Sequence, residues 1–220
     1  MLNTCKNDFM KKILPAILIL ICAAYPVLAK DASDGDIKEL NKRIERLENR
    51  IEMLEEIIEP LEDDMRSRAR ALRFRKKFQE RMKRDERIYE PSDLREIEKL
   101  YQTANQKWNT VTAKESLKLL ADNYPESNRA GCGMLYLAQM NMGKQKRDYF
   151  KKAIREHNDC WYGDGVQVGA YARFLLAVYY QETGDKKEAK KLFKEIVNKY
   201  PEAIDHKGNM LKDIIREINK

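Results

Sequence analysis

The chain has 220 residues and a mass of 26.0 kDa, with 43% hydrophobic and 36% charged residues, 9 glycines and 6 prolines. So much charge excludes a multispanning membrane protein, and so few chain breakers exclude a fibrous or low-complexity one. Two histidines and four cysteines without a CxxC pair disfavour zinc ribbons and histidine-rich metal enzymes. The formal net charge of +7 is an uneven average. Residues 30–65 hold 6 basic against 13 acidic side chains, and residues 66–87 hold 11 basic against 3 acidic. A uniformly basic domain would point to nucleic acid, whereas an acidic block followed by a basic one suits self-association or a surface contact.

At the N-terminus Lys6, Lys11 and Lys12 precede an apolar run from Ile13 to Leu28, and Val27-Leu28-Ala29 sets small residues at the −3 and −1 cleavage positions. This is the three-part pattern of a secretory signal, predicting cleavage near Ala29 and a periplasmic or secreted mature chain from Lys30. The run is interrupted by Pro15 and Pro26 and is shorter than a spanning helix needs. Acylation at Cys22 is the rival reading, disfavoured by the bulky Ile21 before it, and an uncleaved anchor is a third.

Ile37, Leu40, Ile44, Leu47, Ile51, Leu54, Ile58, Leu61 and Met65 follow at alternating intervals of three and four, and apart from Met53, Ile57 and Pro60 every position between them is charged or polar. That spacing predicts a parallel coiled coil over 30–65. A lone helix cannot bury so narrow a stripe, and each aliphatic side chain contributes about 1.5–3 kcal/mol once covered. With Ile37 at position a, Arg43 and Arg50 fall at g and Glu48 and Glu55 at the following e, so opposite charges meet across a parallel seam. Isoleucine at a with leucine at d leans toward two strands; a trimer stays open. Pro60 is expected to kink the helix or end its regular part.

Residues 66–91 read as a basic helical neck, with Ala71, Phe74, Phe78 and Met82 on one face and Arg66, Arg68, Arg70, Arg73, Arg75, Lys76 and Lys77 around the rest. A basic amphipathic stretch of this kind suits contact with a membrane surface or anionic cell-wall polymer through residues 66–87, or it packs its stripe on a neighbouring element. No aromatic stacking platform accompanies the arginines, so nucleic acid is not expected.

From residue 92 the pattern recurs, with Ser92 expected to cap a first helix and Thr112 to Glu115 to form a capping box on a second. Ala113, Leu117, Leu120, Tyr124 and Pro125 return as Ala189, Phe193, Ile196, Tyr200 and Pro201, 76 residues on, which leaves room for one more helical hairpin between. In the last unit Leu176, Ala177, Tyr180, Gly184, Ala189, Phe193 and Pro201 fall where the tetratricopeptide repeat family places its signature residues, and the chain resembles that family over 94–203. The first unit matches at Ile97, Leu100, Ala104, Ala113, Leu117, Leu120 and Pro125, with Tyr101 where a small residue is usual; the middle unit, with helices expected over 135–142 and 148–154, lacks the closing proline. The fold class expected is all-α: a coiled-coil helix followed by a tetratricopeptide-like α-solenoid of about three hairpins over 92–220, closed by a capping helix at 205–219.

The resemblance implies a groove lined by each unit's first helix, here Arg95, Glu98, Gln102 and Asn105 in the first unit and Tyr171, Phe174, Val178 and Gln181 in the last. It implies a protein or peptide ligand rather than a cofactor. Packing between neighbouring helices is the plainer role for Tyr171 and Phe174. The order of parts is also similar to that of the periplasmic cell division coordinators associated with the Tol–Pal envelope system, apart from the basic helical linker, and implies a trimeric scaffold for envelope proteins.

Cys132 and Cys160 are expected at the same end of the middle hairpin, where a disulfide closing a loop of roughly 29 residues would stabilise by about 3–4 kcal/mol; two buried free thiols are the alternative. Trp161-Tyr162-Gly163-Asp164-Gly165 reads as a tight turn between repeats, with a ligand loop as the rival. His157 with Asp159 and Cys160, or Asp205 with His206, lack the further ligands a metal needs. No GxSxG, HExxH or phosphate-cradling glycine loop occurs, so no catalytic residue and no cofactor is expected; an unrecognised hydrolase at 157–165 would have to rely on Asp164 or His157.

Overall fold

The computed structural model describes residues 34–219; the expected export signal, with Cys22 and Ala29, lies outside them. Eight helices occur among the described residues: α1 (Asp34–Ile88), α2 (Pro91–Gln106), α3 (Val111–Asn123), α4 (Asn128–Met140), α5 (Gly143–Glu156), α6 (Val168–Glu182), α7 (Lys186–Lys199) and α8 (Leu211–Ile218). No strand occurs there beyond two isolated bridges, so the class is all-α, with α2 to α7 forming three hairpins of tetratricopeptide-like solenoid. The chain divides between Asp64 and Met65 into two units.

In the first unit the heptad stripe lies on the surface. Leu40, Ile44, Leu47, Ile51, Leu54, Ile58 and Leu61 are each 47–59% exposed, and Ile37 is half-buried. Arg43, Glu48, Arg50 and Glu55 make no ion pair within the chain among the described residues, whereas Arg46 reaches back to Glu39 at 3.3 Å. The helix does not end at Pro60. A proline removes the bond to the carbonyl four residues earlier, and on this exposed stretch the Glu56 carbonyl has solvent as its alternative.

The second unit is built from repeated helix endings. The second helix of each hairpin closes with Tyr124, His157 or Tyr200, whose N–H groups donate to Leu120, Ala153 and Ile196; three residues on, the N–H groups of Ser127, Cys160 and Ala203 donate to the carbonyls of those same closing residues. His157 therefore stands where its sister repeats carry tyrosine, and this is the hidden register of the middle unit. The starts differ slightly from expectation. Pro91 occupies the first position of α2, where its missing N–H costs nothing, and Thr110 rather than Thr112 caps α3 by accepting from the Ala113 N–H at 3.2 Å.

Ser127 caps α4 directly, but two hairpin turns of the same design precede α6 and α8. In the first, Val168 N–H donates to Cys160 O, Tyr162 N–H to Val166 O and Gly165 N–H to Tyr162 O; in the second, the same bonds join Leu211 to Ala203, Asp205 to Asn209 and Gly208 to Asp205. Gly165 and Gly208 take φ of 94° and 87°, the left-handed region open to glycine, and a side chain at Gly165 would also meet Phe74 at 3.0 Å.

The later part of α1 is no separate neck, as the sequence had suggested, but a splint across these turns. Tyr89 accepts from the Glu126 N–H at 3.1 Å and packs edge-on against Tyr124; Phe74 lies 5.4 Å from Trp161; Arg73 pairs with Glu202 at 2.7 Å and Arg70 reaches Met210. Between them is a polar knot. Arg81 pairs with Asp85, which is 1% exposed, and also donates to the Glu126 carbonyl. Asp85 accepts the Asn128 N–H at 2.7 Å, satisfying one orphan donor of α4, and the Asn128 amide clamps the Trp161 N–H and carbonyl at 2.8 Å each. The apolar stripe thus packs on the chain's own repeats, the second of the two roles the sequence left open.

Asp85→Ala would leave the buried Arg81 with the Glu126 carbonyl and the more distant Asp159 carboxylate, 3.7 Å away, and the Asn128 N–H without its acceptor, so urea unfolding should show a loss of about 3–5 kcal/mol, while joint replacement of Arg81 and Asp85 by leucine should cost far less. A loss below about 1 kcal/mol for Asp85→Ala would contradict this role.

Candidate peptide-binding face

The three first helices α2, α4 and α6 adjoin in series, and their rings meet along a shared face. Tyr101 stacks on Tyr136 with centroids 5.5 Å apart and donates its hydroxyl to that of Tyr136 at 3.0 Å. Trp108, just past α2, meets Tyr136 edge-on at 5.0 Å, and Tyr136 lies 6.1 Å from Tyr162 in the first hairpin turn. His206, from the second turn, stands edge-on to Tyr162 at 4.8 Å and to Tyr171 at 5.1 Å. An aromatic floor thus runs from Trp108 to Tyr171, in the edge-on and offset arrangements that ring quadrupoles favour.

Charged and amide groups stand along this floor. Arg129 holds both carboxylate oxygens of Glu98, at 2.8 and 3.2 Å, with its guanidinium 4.4 Å from the Tyr101 ring centre. Gln102 donates to Glu98 at 2.6 Å, and Tyr136 donates to Asn105 at 3.5 Å. Asp164 Oδ2 lies 2.7 Å from His206 Nδ1, joining the two turns, and Asp164 Oδ1 accepts the Val166 N–H. Burial pushes the Asp164 carboxyl up, but His206 and the Val166 amide outweigh it and hold it below the usual carboxylate range. Burial raises the Tyr101 and Tyr162 hydroxyls, which stay protonated and act as donors, Tyr162 to the Cys132 carbonyl at 3.0 Å.

Of the residues carried over from the family pattern, Glu98, Gln102, Asn105 and Tyr171 contribute to this surface, and Arg95 is exposed on α2. Phe174 does not: it is 8% exposed and packs against Phe193, 6.3 Å away. Gln181, ten residues beyond Tyr171, instead lines a cleft of about 600 Å³ against α7 and α8. Trp108, Arg129 and Tyr136 were not foreseen. Adding the family's 34-residue period to Arg95, Gln102 and Asn105 arrives at Arg129, Tyr136 and Gln139, so the signal was available once the middle unit was placed in register.

The expected disulfide is not formed, and Cys132 and Cys160 are buried free thiols. Cys132 does not open α4 but sits a turn inside it, directed at the Trp161 carbonyl, 3.7 Å away. Cys160 lies against Gly131, where even a methyl group would stand 2.6 Å from the sulfur. Burial raises both thiols, Cys160 to about 12, so neither has thiolate character. His157 is buried and Asp164 is engaged by His206, so the two groups of a hydrolase reading turn to different partners. Among the described residues no group of three or more His, Cys, Asp or Glu side chains is arranged to hold a metal ion, and no helix is long and apolar enough to cross a membrane.

A tetratricopeptide repeat family model matches residues 171–203, which are most of α6, all of α7 and the closing turn. No curated protein and no solved structure matches the chain. Residues 171–203 are thus a tetratricopeptide repeat, the last of three hairpins in an all-α solenoid whose class is associated with protein–protein contacts.

Burial lowers the pKa of His157, and the nearby Lys152 and Arg81 charges act in the same direction against Glu156 and Asp159. Below about pH 6.5 the unfolded chain gains a proton at this position that the folded chain resists, so stability should fall as pH drops from about 7 toward 5. Thermal melts across that range should show a shallower slope for His157→Gln; equal slopes would contradict the assignment.

Proposed function

We propose that the protein is an exported, self-associating scaffold that binds envelope proteins or peptides on the first-helix face of its repeats. The observation that carries the binding reading is the row of half-buried rings, Tyr136 and Tyr171 above all, flanked by amide and charged groups. Aromatic side chains supply contact area with little entropy to lose, and neighbouring amides bond an extended main chain. A tetratricopeptide repeat within the same surface supports a protein ligand.

Self-association is supported by the exposed aliphatic stripe and by Arg43, Arg50, Glu48 and Glu55, g and e charges of opposite sign that make no ion pair among the described residues. Several repeat heads on one stem raise avidity for a repeated or oligomeric target without strengthening any single contact. Export rests on the N-terminal pattern, and an envelope partner follows from that compartment and from the order of parts shared with the Tol–Pal coordinators. The scaffold reading includes no catalytic step. Attachment of residues 66–87 to anionic lipid or cell-wall polymer is the second reading, favoured by exposed Arg75, Lys76, Lys83 and Arg87 but weakened because Phe74 and Arg81 are already buried in the protein.

A photo-crosslinking residue placed at Gln102 or Asn105 in the full chain, in the producing cell, should yield protein adducts that survive raised salt and disappear with Tyr136→Ala, a truncation expected to cost about 2 kcal/mol or more of binding. Adducts that arise only from positions 76 and 83 and vanish as ionic strength rises would favour surface attachment instead.

A further inference from the structure

The repeats cover their second helices unevenly. In the first unit Ala113, Leu117 and Ala121 of α3 are all buried, Ala121 at 6% exposure, with α4 packed alongside. The equivalent residues 76 positions on, Ala189, Phe193 and Val197 of α7, have beyond them, among the described residues, only α8. That helix has 8 residues, against 13 in α4 and 15 in α6, and Val197 is left 41% exposed. The result is the cleft of about 600 Å³, floored by Ala189, Phe193, Val197 and Ile215.

Its flank is charged in one sense. Lys186, Lys190 and Lys194 recur every four residues along α7, line the cleft and are exposed. None of the three forms an ion pair among the described residues, whereas Lys191 and Lys199 on other faces of the same helix pair with Glu188 and Glu195. An apolar trough bordered by a ladder of unpaired ammonium groups calls for an occupant with an apolar ridge and carboxylates at matching pitch. Helical pitch is what such a ladder matches, and a helix is what fills the corresponding place beside α3 and α5.

We propose that the cleft between α7 and α8 is a second docking site, which takes an amphipathic helix of a partner protein whose apolar stripe is flanked by glutamates or aspartates. The mode is helix-in-groove recognition, with Phe193 and Val197 as the apolar contact and Lys186, Lys190 and Lys194 setting partner charge. It is separate from the aromatic face of α2, α4 and α6, so the two sites fail or succeed independently.

The test uses the full chain and two synthetic helical peptides that share one leucine stripe, one flanked by glutamates and the other by lysines, with affinity read by fluorescence anisotropy. The glutamate peptide should bind at least about tenfold more tightly than its lysine sister, a difference of about 1.4 kcal/mol. Lys190→Glu with Lys194→Glu should reverse that preference, and Val197→Glu should weaken the glutamate peptide about tenfold or more. These positions are exposed and circular dichroism checks that each variant keeps its helices. Tyr136→Ala should leave peptide affinity within about twofold. Equal affinities for the two peptides, no effect of the lysine replacements, or no binding of the glutamate peptide to the unaltered chain at millimolar concentration would overturn the proposal.

Discussion

The Arg81–Asp85 pair is the interaction on which the repeat unit depends, because one buried carboxylate serves two helices at once. Asp85 answers Arg81 on α1 and caps the Asn128 N–H of α4, and Asn128 then fixes the Trp161 strand of the first hairpin turn. Burial raises the Asp85 carboxyl above its ordinary value despite the Asn128 amide and Arg81, so the charge is costly where it stands. A costly buried pair adds little net stability. Its contribution is register: the observed alignment of α1 over the turns satisfies the carboxylate, the guanidinium and the Glu126 carbonyl together.

That alignment divides the use of a single helix. Phe74, Phe78 and Met82, for which the sequence left both a lipid surface and a neighbouring element open, are turned to the chain's own hairpins, with Phe74 against Trp161 and Gly165, Phe78 near Gly163 and Met82 near Asn128. The stripe from Leu40 to Leu61 has no such cover among the described residues. Leu40, Ile44, Leu47, Ile51, Leu54, Ile58, Leu61 and Met65 stay exposed at heptad spacing, and nothing else among the described residues covers them. On this contrast rests the proposal of a self-pairing seam and a ring-lined repeat face left free for a protein ligand.

Much of this was legible beforehand wherever one periodicity dominated. The alternation of three and four from Ile37 to Met65 specified a helix, and the Ala-Leu-Leu-Tyr-Pro and Ala-Phe-Ile-Tyr-Pro sets specified the first and last hairpins. The middle hairpin was blurred because His157 replaces the closing tyrosine and a hairpin turn follows it, which sets the helix endings 33 and then 43 residues apart instead of at one period. Without that register Cys132 reads as a helix start, which leaves a disulfide and two buried free thiols both open, whereas Gly131 makes room for the free thiol of Cys160. Arg129 and Tyr136 went unnoticed for the same reason. Nor could local pattern foresee that Arg81 and Asp85, outwardly two more charges in a charged helix, would be buried by segments 40 to 80 residues away.

Sedimentation equilibrium of the protein at micromolar concentration, beside a form with Leu47→Asp and Ile51→Asp, tests the central claim most directly. The account predicts a dimer or trimer for the unaltered chain and a monomer with undiminished repeat-domain melting for the variant. A monomeric unaltered chain, or an oligomer indifferent to both aspartates, would contradict it.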